Sequence, residues 1–188
     1  MRRGIRGIRE DLMDEDQVEA EEDGLEEIPE ILHSLYTKSP FGECSICEQP
    51  ILEGDTPYEI QKVWRGKETV FEYAVCQSCG LDLVKSYSKE SVRKIQEFFE
   101  NRFQPDAGED LCHFCGTKAK PGHDDLSMMA MCLGYFLLAP PVVICEACNE
   151  NLNEGLSKKT KETYGDFIDT NFPGIPAEWE VPTAPIGF

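Results

Sequence analysis

The sequence predicts an α+β fold made of two small modules of similar design, one following the other. Three observations lead to this prediction. The chain has 188 residues and nine cysteines, and eight of the cysteines stand in four Cys-x-x-Cys pairs. The first and third pairs lie 68 positions apart and the second and fourth lie 69 apart, which indicates an internal repeat. Within each repeat, a strand-like hairpin separates the two pairs, and residues at helical spacing follow the second pair.

An acidic arm is predicted over residues 1–40. The formal net charge of the chain is -18, and residues 1–40 carry 12 acids and 5 bases. Residues 1–24 are polar and poor in aromatic side chains, which is typical of a disordered or loosely helical segment. Apolar residues fall at helical spacing over the rest of the arm: Leu25, Ile28, Ile31, Leu32, Leu35 and Tyr36. They predict a short amphipathic helix that has Pro29 in its first turn, runs to about Thr37 and docks on the body.

The first module is predicted over residues 41–105. It begins with the turn Cys44-Ser45-Ile46-Cys47 and continues into a hairpin with strands at 58–64 and 70–75 and a turn at 65–67. The second cysteine pair ends this hairpin and opens a helix. A further helix follows Ser88, whose hydroxyl is a suitable N-cap.

The second module, residues 106–170, repeats this order of elements. Its hairpin, Leu126 to Ile144, is apolar on both faces instead of alternating, so it needs a cover on each side. One cover is its own helix; the other could be the first module, the N-terminal helix or another chain. A Pro-rich tail, 171–188, is expected to be extended and irregular.

The cysteine pattern predicts two metal sites. A tetrahedral Zn²⁺ ion needs four soft ligands, and each Cys-x-x-Cys turn supplies two thiolates. The chain shows no export signal, so the thiols should stay reduced and the protein is expected in the cytoplasm. Zinc is the expected metal, two structural ions per chain, and iron remains an alternative because four thiolates accept both. The predicted ligands are Cys44, Cys47, Cys76 and Cys79 in the first module and Cys112, Cys115, Cys145 and Cys148 in the second.

Two pairings of these turns are open. Sequential pairing closes one site within each module, whereas interleaved pairing would join the first turns of both modules, as in cross-braced fingers. We favour sequential pairing because a repeated unit that holds its own metal needs no second copy to fold.

The order of turn, hairpin, second cysteine pair and helix resembles treble-clef zinc fingers, with zinc ribbons as the nearby alternative. The resemblance covers Cys44 to about Phe99 and Cys112 to about Ile168, and it is one of fold. It implies zinc held for stability, but treble clefs serve nucleic-acid binding, protein binding and catalysis, so function stays open.

The remaining cysteine and the histidines are expected to have structural roles. Cys132 aligns with Trp64 of the first repeat, which predicts a buried thiol. His113, inside a Cys-x-x-Cys turn, is expected to be exposed. His123 is expected in a polar loop, and His33 on the polar side of the N-terminal helix.

The sequence favours a non-enzymatic interaction or adaptor protein. Sites closed by four cysteines leave no open coordination position for catalysis, and the βαβ context of a redox Cys-x-x-Cys is absent. A protein partner or a homodimer is expected to contact the apolar second hairpin, Leu126 to Ile144. The acidic surface would repel nucleic acid, and no apolar run suggests a membrane span. The alternatives are a nucleic-acid-binding or transcription-associated finger protein and a zinc-stabilised accessory subunit of an enzyme.

Overall fold

The computed structural model describes residues 25–108 and 110–172. The predicted acidic segment 1–24 and the tail from 173 onward lie outside the described residues. The described chain is a mixed α/β structure with an antiparallel sheet and four helices. Its elements in order are β1 (Tyr58–Arg65), β2 (Glu68–Cys76), α1 (Gln77–Ser86), α2 (Lys89–Arg102), β3 (Leu126–Leu133), β4 (Phe136–Leu137), β5 (Val142–Cys145), α3 (Glu146–Glu154) and α4 (Lys158–Asn171).

Both predicted hairpins are present. Strands β1 and β2 pair antiparallel around a turn in which Gly66 has a φ of 55°. The second hairpin turns at Gly134, also at a φ of 55°, a conformation that glycine adopts without strain. Its return strand is divided into β4 and β5, and the break contains Pro140 and Pro141, which lack the N–H group that a strand ladder requires.

The two hairpins join into one five-stranded sheet because β1 also pairs antiparallel with β3. The register runs from Tyr58 opposite Cys132 to Trp64 opposite Leu126, with Gln61 opposite Met129 at its centre. Residues 58–64 and 126–132 occupy equivalent positions of the repeat, so the pairing is symmetric, like that of a two-fold interface. The first module therefore pairs along the edge of β3 within the chain, a contact in the plane of the sheet and not a cover of either apolar face.

The second helix of each half packs against the other half. Phe167 of α4 and Phe172 just after it meet the rings of Phe71 and Tyr73 on β2, with Phe172 5.1 Å from Phe71 and 5.4 Å from Tyr73 between ring centroids. In the opposite direction, the α2 side chains Phe98 and Phe99 each lie 4.9 Å from Phe114 in the second half. These reciprocal aromatic contacts join the two halves in addition to the shared sheet.

The N-caps of these two helices meet. Ser88 accepts a hydrogen bond from the backbone N–H of Ser91, as predicted, and Ser157 accepts one from Thr160. The two cap hydroxyls lie 2.8 Å apart, the Ser88 N–H donates to Thr160 Oγ1 at 3.0 Å, and the Ser157 N–H donates to Ser91 Oγ at 2.9 Å. The starts of α2 and α4 thus satisfy each other's polar groups.

The N-terminal segment docks on the body as expected, but the helix predicted from Pro29 to about Thr37 is a 3-10 helix of three residues, Glu30–Leu32. Ile28 and Leu32 are buried, and Glu27 forms a β-bridge with Phe136. After Leu32 the backbone is bonded elsewhere: the N–H of Leu35 donates to the Glu72 carboxylate at 2.7 Å. This long-range bond and the local turn bond from the Ser34 N–H to the Ser39 carbonyl, at 3.0 Å, replace the helical bonds that the apolar spacing predicts.

Candidate metal centres

The eight predicted ligands form two clusters. Within each cluster the four sulfur atoms all lie within 4.8 Å of one another. The first cluster contains Cys44, Cys47, Cys76 and Cys79, and the second contains Cys112, Cys115, Cys145 and Cys148. Each cluster draws its cysteines from one half of the chain, which is the sequential arrangement and not the interleaved one.

The first two cysteines of each cluster lie in a tight turn held by backbone hydrogen bonds. In the first turn the N–H of Glu48 donates to the Cys44 carbonyl at 2.9 Å, and Glu48 has a positive φ of 58°. In the second turn Gly116 makes the same bond to Cys112 and has a φ of 69°. The residue after each turn therefore takes the left-handed conformation, which glycine at position 116 adopts without strain.

The last two cysteines of each cluster lie at a helix start. Cys76 is the N-cap of α1 and Cys145 the N-cap of α3, so Cys79 and Cys148 fall in the first turn of their helices. The positive end of the helix dipole there favours thiolates. Gly80, which directly follows Cys79, is a helical residue of α1.

The sulfur spacing fits a tetrahedral ion. Sulfurs bound to Zn²⁺ at about 2.3 Å lie about 3.8 Å apart. Cys47 Sγ and Cys76 Sγ are 3.8 Å apart, and Cys115 Sγ and Cys145 Sγ are 3.7 Å apart. No cysteine in either cluster is bonded as a disulfide. Each cluster can therefore hold one metal ion through four thiolates, which leaves no coordination position for a substrate.

Polar neighbours lower the pKa of one thiol in each cluster. Burial raises the pKa of Cys76, but hydrogen bonds with the Ser78 hydroxyl and the Cys79 backbone outweigh it and bring the value to about 7. Burial likewise opposes the hydrogen bonds of Cys115 with Thr117, which lower its pKa to about 6. These hydroxyls were not predicted as part of the sites, although each stands two residues after its cysteine.

Three other thiols of the clusters have a raised pKa. Burial and neighbouring sulfurs raise the pKa of Cys79 and of Cys148, and burial raises that of Cys145 to about 11. Four thiolates in contact repel one another, and a divalent cation at their centre removes that repulsion. The donor set thus fits Zn²⁺, and Fe²⁺ shares the same chemistry.

Backbone N–H groups also point at the innermost sulfurs. The N–H of Cys76 donates to Cys44 Sγ and the N–H of Cys145 donates to Cys112 Sγ, both at 3.4 Å. Both acceptor cysteines are buried, so these bonds hold each sulfur in place.

His113 contradicts its predicted exposure. Only 4% of its surface is exposed. Its Nδ1 atom accepts a hydrogen bond from the Val143 N–H at 3.1 Å, and its ring stacks on Phe103 with 5.9 Å between ring centroids. The ring thus ties the second turn to β5, and it is not among the clustered metal-binding side chains. Its partners lie 10 and 30 residues away in sequence, so the local pattern does not reveal them.

The structure also places the ninth cysteine and the other two histidines. Cys132 is fully buried, as predicted, and burial raises the pKa of its thiol to about 12. His123 is exposed in a turn, as predicted. His33 lies in the irregular backbone that replaces the predicted helix, and its Nε2 is 3.0 Å from the Ile28 carbonyl oxygen.

Comparisons of the chain with protein-family models, with curated proteins and with solved structures found no match. Among the described residues, no helix is both long enough and apolar enough to cross a lipid bilayer.

Proposed function

We propose that this chain is a non-enzymatic zinc-binding protein that serves as a protein–protein interaction or adaptor module. The observation that supports this proposal most directly is the pair of four-cysteine clusters, each closed by its own sulfurs. A metal surrounded by four thiolates has no free position at which to activate water or substrate, so its role is to stabilise the fold.

We further infer that each half belongs to the treble-clef type of zinc finger. The supporting features are a turn with two cysteines, a hairpin, and two further cysteines at the N-terminus of a helix. A zinc ribbon would place its second cysteine pair in another turn. Here Cys76 and Cys145 directly precede the helices α1 and α3.

The basic residues offer little support for a nucleic-acid site. Five basic residues on the first hairpin and on α2 and α4 form ion pairs with acids: Lys62 with Glu72, Arg65 with Glu146, Arg93 with Glu97, Lys94 with Glu90, and Lys158 with Glu162. A paired cation has less charge available for a phosphate, and the net charge of -18 repels a phosphate backbone.

The second hairpin keeps an exposed apolar tip even though β3 pairs with β1. Tyr135 is 52% exposed and Leu138 is 43% exposed. Leu25 is 45% exposed, and its segment runs next to this hairpin because the backbone carbonyl of Glu26 accepts a hydrogen bond from the Leu137 N–H at 2.8 Å. We call these three side chains the tip patch and propose that they contact the protein partner or a second copy of the chain.

Metal analysis of the purified chain tests the structural part of this proposal. We expect two zinc ions per chain, lost together with the folded structure after strong chelation. A chain that keeps its near-ultraviolet circular dichroism after the metal is removed would contradict a stabilising role for zinc.

The interaction role is tested by affinity capture with crosslinking in the cells that express the protein. Wild type is compared with the double variant Tyr135→Glu, Leu138→Glu, in which two charges interrupt the tip patch without touching the core. We expect a protein crosslinked to wild type and lost from the variant, and light scattering distinguishes a second copy from another partner. Equal capture by both proteins would remove the tip patch from the proposal.

A further inference from the structure

A second surface feature lies beside the tip patch: a groove of about 520 Å³ between the N-terminal segment, the linker residues 105–107 and 110, and the second half. The sheet contributes Met128 and Val143, and the N-terminal segment contributes Glu26 and Ile31. Grooves of this size commonly hold small molecules or peptide side chains. We call it the linker groove.

The lining of the linker groove is apolar and contains many prolines. Five prolines line it, at positions 29, 105, 121, 140 and 141. Proline has no N–H group, so its backbone can only accept hydrogen bonds. Two other backbone donors of the lining are already used: the Ala107 N–H donates to the Gln104 carbonyl at 3.1 Å and the Val143 N–H to His113 Nδ1 at 3.1 Å.

The charged side chains of the groove are carboxylates. Glu26, Asp106 and Asp110 line it, and among the described residues that line it there is no lysine or arginine. Asp110 Oδ2 lies 3.1 Å from Lys120 Nζ in a half-exposed pair, whereas Glu26 and Asp106 are not in such an ion pair among the described residues. An apolar groove that offers mostly acceptors and negative charge is complementary to a cation with several hydrogen-bond donors.

We propose that the linker groove binds an arginine-bearing segment of a partner protein. A guanidinium carries five donors and no acceptor, and its weakly hydrated flat face packs on apolar surface, so it suits this lining better than a lysine ammonium does. An apolar neighbour of the arginine packs against Ile31, which is 43% exposed. The groove adjoins the tip patch through Glu26 and Pro140, so one partner can contact both surfaces. This inference rests on the proposed interaction role and names the chemistry of the partner.

The test uses the zinc-loaded full chain and two synthetic peptides, acetyl-Leu-Arg-Leu-amide and its citrulline counterpart. Citrulline has nearly the same shape as arginine but no charge. We expect saturable shifts of the Ala107, Asp110, Met128 and Val143 amide signals in two-dimensional NMR with the arginine peptide, and binding of the citrulline peptide about tenfold weaker. Equal binding of the two peptides, or no binding of either, would overturn the proposal.

Matched variants locate the site. The double variant Asp106→Asn, Asp110→Asn should weaken binding of the arginine peptide by about tenfold. The control variant Asp166→Asn, Asp169→Asn removes the same charge from exposed positions of α4 and should bind like wild type. If both variants lose binding equally, the attraction comes from the overall charge, and the groove is not the site.

A further variant tests whether the chain's own arginines occupy the groove. Arg2, Arg3, Arg6 and Arg9 precede the described residues and are replaced together by glutamine. We expect the groove signals to be unchanged without peptide. If they move and the peptide then binds more tightly, the occupant is the N-terminal segment and the partner proposal is wrong. The tip-patch variants test the interaction role separately, so failure here leaves that proposal to its own experiment.

Discussion

Cys47 and Cys115 are the exposed members of their clusters, and each contacts a cysteine at a helix start. Their sulfurs complete a set of four donors that is drawn from a turn and from a helix. Removing one sulfur leaves three thiolates and an opening for water. At the scale of the residue, these positions offer the most direct test of metal binding.

Replacing Cys115 by Ser should reduce the metal content from two zinc ions per chain to about one, because a neutral hydroxyl is a poor substitute for a thiolate. Mass spectrometry of the metals in the purified protein measures this content. Cys132→Ala is the control, since Cys132 is buried but lies outside both clusters, and it should keep both ions. Two ions in both variants would mean that Cys115 is not a ligand.

His113 provides a second prediction at the residue scale. His113→Ala removes the acceptor of the buried Val143 N–H and should lower the free energy of unfolding by about 1–3 kcal/mol. Urea unfolding of the zinc-loaded protein measures the change. His123→Ala, at an exposed turn, should stay within about 0.5 kcal/mol of wild type. Similar losses in the two variants would argue against a structural role for the His113 hydrogen bond.

At the scale of the element, the paired N-caps of α2 and α4 connect two helices that begin 69 residues apart in sequence. An N-cap hydroxyl ordinarily serves only its own helix. Here Ser88 and Ser157 also lie within hydrogen-bond distance of each other. The loss of one hydroxyl should therefore disturb the start of the other helix as well.

Ser88→Ala and Ser157→Ala should each lower the free energy of unfolding by about 1 kcal/mol. The double variant should differ from the sum of the single variants by about 0.5 kcal/mol or more, because the two hydroxyls are in contact. Denaturant unfolding of all four proteins gives this coupling energy. Ser86→Ala, on the exposed side of α1, is the control. Its change in the free energy of unfolding should add to that of either cap variant. Full additivity of Ser88 and Ser157 would contradict a shared cap.

On the scale of the whole molecule, the two halves depend on each other. The sheet runs across both hairpins through the pairing of β1 and β3, and α4 places Phe167 against Tyr73 of the first half. Two tandem modules joined only by a linker would unfold independently. Because the two halves share a sheet and each packs a helix against the other, we expect them to unfold together in one cooperative transition.

Loss of the second metal site should therefore loosen the first half. In the Cys115→Ser variant we expect faster hydrogen exchange in β2, because α4, which covers Phe71 and Tyr73, belongs to the damaged half. Hydrogen-exchange mass spectrometry of peptides from 68–76 measures this effect. Cys132→Ala again serves as the control. Unchanged exchange in β2, together with fast exchange in 111–119, would show that the halves unfold separately.

Most secondary structure could be predicted because it follows local rules. Alternating residues around Gly66 predict the first hairpin, and a serine before an apolar helical pattern predicts the start of α2 at Lys89. The N-terminal helix was predicted too long for the same reason. Its apolar spacing is helical, but hydrogen bonds from the Ile28 N–H to the Tyr135 carbonyl and from the Leu35 N–H to Glu72, both far away in sequence, give the backbone other partners.

The metal-site residues could be grouped from spacing alone, since two thiolates in one short turn and two at a helix start are each brought together by the chain near them. Four other features could not be predicted from the sequence: the pairing of β1 with β3, the packing of α2 and α4 against the opposite halves, the burial of His113, and the linker groove. A strand edge offers the same N–H and C=O groups to any other strand, and no local pattern specifies which strand will pair with it. Those features emerge only when distant parts of the chain pack together, because the free energy of burying apolar surface depends on the whole arrangement and not on neighbouring residues.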